Sequence, residues 1–125
     1  MNDHIVQAAT LRWYNACAYY AAALAEGMNR LGKRVTFASI TPTPASEKVR
    51  ERGIESYTPD EGCGFRTPFF SDAAGCRRFA RETGVTLVNA HTGADHLLWA
   101  FALRGTGIPL VRTSGNQLQI GRAHV

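Results

Sequence analysis

The sequence predicts an α/β domain built on a doubly wound parallel sheet, five strands in the order 3-2-1-4-5 with helices on both faces. Three observations carry this. Strand-like and helix-like segments alternate five times along 125 residues, a length suited to one domain. The run "VTLVNA", Val85–Ala90, is nearly continuous in apolar residues, as a strand buried on both faces must be. A long helical segment, 15–31, is stopped by Gly32 and followed directly by a β-branched run, which is how a βαβ unit begins.

His4–Ala8, "HIVQA", is the first predicted strand, and Thr10–Tyr14 is a loop. The helix Asn15–Leu31 carries Cys17, Tyr20, Leu24, Met28 and Leu31 at three- and four-residue steps, so these are its expected buried stripe. Arg34–Ile40 is the second strand, ended by "TPTP". A short charged helix, Ala45–Arg52, closes at Gly53, and Ile54–Tyr57 is the third strand. Thr58–Phe70 reads as a loop. Ser71 or Asp72 then caps a helix running to about Thr83, with Gly84 as its stop. After Val85–Ala90 comes a turn at Thr92–Asp95, a helix over His96–Arg104, and a last strand, Ile108–Thr113. No repeat or linker interrupts the pattern.

Composition narrows the function classes. With 45% hydrophobic and 10% aromatic residues, the chain can bury a core and is not disordered by composition. Lys+Arg exceed Asp+Glu by 14 to 10, a net charge of +4. The cations are nearly all Arg and are spread along the chain, so no basic patch argues for nucleic acid as a partner. The three cysteines are odd in number and lack CxxC spacing, which suggests neither a disulfide framework nor a zinc ribbon. Cys17 and Cys76 are expected as reduced core residues, and Cys63 lies in a Gly-rich stretch. The polar opening does not read as a secretory signal, and Ala16–Ala25, the longest apolar run, is too short to span a bilayer. A cytoplasmic protein is expected.

Ligands of open parallel sheets bind at the carboxyl ends of the strands, where strand order reverses. Here that point lies between the first and fourth strands. "ATLRWYN" (Ala9–Asn15) and "AHTGADH" (Ala90–His96) should meet there, beside Arg112–Asn116. His91, at the end of a central strand, is the candidate catalytic residue; the plainer reading is that it bonds a loop carbonyl. Arg12, Trp13, Tyr14, Asn15, Thr92, Asp95, Arg112 and Asn116 are candidate substrate-binding residues. Arg12 suits a phosphate, as does the amino end of the helix after it, while Trp13 and Tyr14 could equally cover the sheet edge. Asp95 reads first as a helix N-cap. His96 reads as a solvated first-turn residue, and Arg112 either faces the crevice or is a surface cation. A metal held by His91, Asp95 and His96 would require all three to converge across one turn, so no metal is expected. The first loop lacks the GxGxxG fingerprint and there is no P-loop, which disfavours a tightly held dinucleotide and hence a dehydrogenase or epimerase half. Ser114 and Cys63 have no GxSxG elbow or orienting acid around them.

"RWYNACAYYAAALAEGMNRLGKRVTFAS" (Arg12–Ser39) resembles the opening of the N-terminal domain of GT-B glycosyltransferases of the family 4 type. "GVTLVNAHTGADHLLWAFALRGTGIPLVRT" (Gly84–Thr113) resembles the same domain's fourth strand, helix and fifth strand. The resemblance implies a Rossmann-like half of a GT-B enzyme that binds mainly the acceptor. A C-terminal domain of the same chain would bind a nucleotide-diphosphate sugar as co-substrate, with no cofactor. The acceptor would be a cell-envelope or other glycan or lipid, with a hexosyl- or heptosyltransferase-like activity, as in lipopolysaccharide assembly, and peripheral contact with the inner membrane face. His91 matches the second His of the family's "HxH", with Asn89 in place of the first. The Ala9–Asn15 loop matches the segment near the donor phosphates, but without its usual glycine pair. Where the family often has His after "RT", this chain has Ser114-Gly115-Asn116.

The last six residues, "IGRAHV" (Ile120–Val125), match one reading frame of a common sequencing adapter. The expected domain is therefore 1–119, with 120–125 a non-native tail, and the piece alone is expected to be inactive. The alternative is a free-standing flavodoxin- or Rossmann-like ligand-binding or regulatory domain without catalysis.

Overall fold

The computed structural model of the chain describes residues 3–10, 15–39, 43–58 and 69–113. Its elements are β1 (His4–Ala8), α1 (Ala16–Arg30), β2 (Arg34–Ala38), α2 (Pro44–Glu51), β3 (Glu55–Tyr57), α3 (Phe69–Thr83), β4 (Leu87–Ala90), α4 (Gly93–Ala102) and β5 (Leu110–Arg112). The five strands form one sheet in the order β3-β2-β1-β4-β5, every neighbouring pair parallel. This is the Rossmann-like, doubly wound sheet that the alternation predicts.

Period-two alternation along the strands sorts the core into two layers. Ile5, Val35 and Phe37 point to one face, where Ala21, Ala22 and Ala25 of α1 and Val49 of α2 cover them. Val6, Ala8 and Val88 point to the other, against Ala73, Cys76 and Ala80 of α3 and Trp99 and Ala102 of α4. Gly32 and Gly84 take left-handed φ of 85° and 70°, which a side-chain-bearing residue rarely adopts, and so stop α1 and α3 where the sequence predicts.

Three local expectations are corrected. The buried face of α1 is Ala18, Ala21, Ala22 and Ala25. Of the predicted stripe, Tyr20 and Leu31 are 52% and 79% exposed, and Met28 is only partly buried. Alanine lets the helix approach the sheet closely, so the small residues face inward and the larger ones rim the contact. α3 begins at Phe69, inside the segment expected as loop, and Asp72 lies in its first turn rather than before it. A proline directly upstream is compatible with a helix start, and an acid in the first turn complements the helix dipole. α4 begins at Gly93, with Thr92 as its cap: the Thr92 hydroxyl accepts the Asp95 N–H at 3.0 Å. Asp95 is therefore not the N-cap.

Candidate functional site

The carboxyl ends of β1 and β4 lie side by side, with Ala8 opposite Ala90 in the parallel register. The His91 N–H continues the ladder by donating to the Ala8 carbonyl at 2.9 Å. The loop after β1 and the start of α4 are then tied together by one carboxylate. Asp95, 1% exposed, accepts the Thr10 N–H at 2.8 Å, the Thr10 hydroxyl, and the Thr92 hydroxyl at 2.6 Å. Burial pushes its carboxyl above the usual carboxylate range, while the Thr10 and Thr92 bonds and the Arg112 guanidinium pull it back down.

His91 is 5% exposed, and burial lowers its imidazole to about 4, so the ring is neutral at neutral pH. Its Nε2 lies 2.7 Å from Gln7 Oε1. Gln7, fully buried in the middle of β1, also accepts from Asn89 Nδ2 at 3.0 Å, and its own amide nitrogen donates weakly to Met28 Sδ at 3.5 Å. Asn89 Oδ1 accepts in turn from the Thr113 hydroxyl at 2.9 Å. The Tyr20 ring stands edge-on to the imidazole at 6.1 Å between centroids, and Cys17 Sγ lies 3.7 Å from the His91 carbonyl oxygen. Strand β1, strand β4 and the residue after β5 thus share one polar network beneath α1.

Two of the helices start beside these residues, the ones that follow β1 and β4. Asn15 is the exposed N-cap of α1, its side-chain oxygen accepting the Ala18 N–H at 3.0 Å. Thr92 caps α4, where Gly93 and Ala94 are exposed and precede any N–H with an intrahelical acceptor. The exposed Arg112 lies over this start, with Nη2 3.8 Å from where a Cβ on Gly93 would sit. Among the described residues the arrangement offers a neutral imidazole, helix amino termini and the Arg112 guanidinium: groups that position hydroxyls and tolerate an anion.

Of the sequence-predicted residues, His91, Thr92, Asp95, Arg112 and Asn15 gather at this end of the sheet. Arg12, Trp13, Tyr14 and Asn116 lie outside the described residues, as do Cys63, Ser114 and the 120–125 tail. Among the described residues there is no group of three or more His, Cys, Asp or Glu placed to hold a metal. Gln7, Thr10 and Thr113 were not singled out by sequence. The available signal was Gln7 itself, an amide in the middle of a central strand where an apolar side chain is the rule.

A cavity of about 620 Å³ opens at the other end of the sheet, lined by Asp3, His4, Lys33, Arg34 and Thr83 among others. Its cations are paired, Lys33 with Asp3 at 2.8 Å and Arg34 with Glu55 at 2.7 Å. It lies at the amino ends of the strands, away from the topological switch point.

No protein-family model and no curated protein matches the chain. Solved structures do. MurG of Acinetobacter baumannii superposes with a TM-score of 0.75 at 18% identity, over 96% of this chain and 39% of that one. A glycosyltransferase from Rickettsia africae gives 0.71 at 12% identity, over 99% and 34%. Anabaena HepE, solved in complex with UDP and glucose, gives 0.66 at 15% identity, over 85% and 28%. This chain therefore spans well under half the length of each of them. At such identities the shared property is the fold, and that fold is glycosyltransferase-like.

Proposed function

We propose that residues 1–119 are the N-terminal, acceptor-side domain of a two-domain GT-B glycosyltransferase of the family 4 type. It would move a sugar from a nucleotide-diphosphate sugar to a cell-envelope glycan or lipid, from the cytoplasmic side and with peripheral membrane contact. The observation that carries this reading is the convergence of His91 with the β1 loop at the switch point, where Asp95 bonds Thr10. The fold likeness to MurG, and to HepE solved with UDP and glucose, supports the same reading.

Glycosyl transfer to a hydroxyl asks three things of such a domain: hold the acceptor, place its oxygen, and assist loss of its proton or of the leaving diphosphate. His91, neutral and buried, is the candidate catalytic residue for the hydroxyl. Asn15, Thr92 and Arg112, with Arg12, Trp13, Tyr14 and Asn116, form the surrounding binding set. Asp95 acts by holding the two loops together rather than by touching substrate. Donor binding belongs to a further domain, so the 125-residue piece is inactive alone and 120–125 carries no function.

The test is the gene in an intact source, read beyond codon 119, and the protein it encodes. A second nucleotide-binding domain, together with release of nucleoside diphosphate from UDP-glucose, UDP-N-acetylglucosamine or GDP-mannose in the presence of acceptor, is the expected result. A natural stop near codon 119 would overturn the reading in favour of a free-standing binding domain. In the active enzyme, His91→Ala should lower kcat at least tenfold; near-normal turnover would remove His91 from the mechanism.

A further inference from the structure

We infer that Gln7 is a positioning residue for His91: its side-chain carbonyl holds the imidazole as the Nε2–H tautomer and leaves the Nδ1 lone pair as a hydrogen-bond acceptor. The amide orientation follows from its neighbours. Met28 Sδ has no proton to give, so the end of the Gln7 amide facing it at 3.5 Å is the NH2 group. The carbonyl end then faces Asn89 Nδ2 at 3.0 Å and His91 Nε2 at 2.7 Å. The Asn89 amide fits this orientation: with its NH2 toward Gln7, its carbonyl oxygen takes the Thr113 hydroxyl at 2.9 Å. An acceptor at 2.7 Å from Nε2 requires the proton on Nε2, and a neutral imidazole carries only one.

The other groups around the ring leave that assignment intact. Among the described residues the hydrogen-bond partner of the ring is Gln7, at Nε2, and Nδ1 has none. Tyr20 of α1 meets the ring edge-on, and Cys17 lies by the His91 backbone carbonyl. The carboxylate of Asp95 is occupied by Thr10 and Thr92. What stands behind the imidazole is thus a neutral amide, which, unlike a carboxylate, does not favour a second proton on the ring. Burial acts in the same direction.

If the carboxyl end of the sheet is the substrate site, as the proposed function holds, this polarity selects a ligand class. A lone pair on Nδ1 takes a group that donates a proton, such as the hydroxyl of a sugar or other alcohol. It does not take a phosphate oxygen, which at neutral pH has lone pairs of its own. His91 would then orient an acceptor hydroxyl by accepting its hydrogen bond, leaving phosphate to other residues.

The test is long-range 1H–15N NMR on the 15N-labelled 125-residue chain, which reads the ring directly and involves no transfer reaction. Failure of the transferase reading therefore leaves the result untouched, and the reverse also holds. The expected wild-type spectrum has a protonated Nε2 and an unprotonated Nδ1 throughout pH 5–8, with an exchange-protected Nε2–H close to the Asn89 amide protons. Gln7→Leu, which removes the acceptor, should give a mixture of tautomers and lose that protection. Gln7→Glu should raise the proton affinity of His91 about a hundredfold, from about 4 to about 6, so that the ring takes up its second proton within the pH 5–8 range where the wild-type ring stays neutral. A wild-type Nδ1–H tautomer, a rapidly exchanging Nε2–H, or a Gln7→Leu ring unchanged in tautomer and exchange would each overturn the assignment. The first two need no variant, so the test holds even where a substitution at this buried position prevents folding.

Discussion

The Asp95 carboxylate accepts the backbone N–H of Thr10 at 2.8 Å, joining positions 85 residues apart in the chain. Through that bond the first helical turn of α4 holds the loop leaving β1. The separation is long, so closing it costs chain entropy that only a folded sheet can offset. The bond is also a sensitive reporter of whether the two loops share one crevice.

Asp95→Asn should destabilise the domain by about 2 kcal/mol, since an amide NH2 would face donors that a carboxylate satisfies. Urea unfolding measures it. A change below about 0.5 kcal/mol would show that Thr10 and Thr92 find other acceptors, and that the tie between the loops is weak.

Stability should fall as pH drops from about 6.5 to about 4. In that window the unfolded chain binds a proton at His91 that the folded chain, with its imidazole lowered to about 4, does not. The contribution is fully present above 6.5 and is roughly 2 kcal/mol after allowing for residual solvent screening. His4, lowered by burial at the other end of the sheet, acts with the same sign. Asp95, raised by burial, acts with the opposite sign, losing stability as pH rises through its folded value. The difference between wild type and His91→Gln therefore isolates His91. Equal slopes in the two proteins would contradict burial as the cause of its neutrality.

Ala22→Leu should cost at least 1–3 kcal/mol, because a larger side chain at a fully buried position pushes α1 off the sheet. Leu31→Ala, at a residue 79% exposed, should change stability by less than about 0.5 kcal/mol. Thermal or urea unfolding of the pair compares the alanine face with the stripe read from apolar spacing. The reverse ranking would restore the stripe.

Trp99 is fully buried, and its indole Nε1 has no hydrogen-bond partner among the described residues. Trp99→Phe loses packing but no hydrogen bond, and should cost less than about 3 kcal/mol, whereas Trp99→Ala leaves a cavity costing about 3–5 kcal/mol. A Phe variant as unstable as the Ala variant would mean that the indole nitrogen does have a partner in solution.

Much of this architecture is legible along the chain. Alternation of segment types, the apolar run that contains β4, and Gly32 and Gly84 as stops are local features. They led to the five parallel strands in their observed order. The position of His91 at the carboxyl end of a central strand follows from the same reading. Local rules failed where two short-range signals competed. Thr92 and Asp95 are both good caps three residues apart, and the strand's exit, not cap preference, chose Thr92. In α1, the spacing of large apolar residues competed with an equally periodic row of alanines, and the close approach of helix to sheet chose the alanines.

By itself, then, the sequence determined the kind of sheet and the order of its strands, because periodicity and backbone punctuation act between near neighbours. Only the tertiary structure decided which polar groups are paired inside. Gln7 with His91 and Thr10 with Asp95 are separated by 84 and 85 positions. A buried polar side chain is defined by its partner, and that partner is brought to it only when the sheet closes.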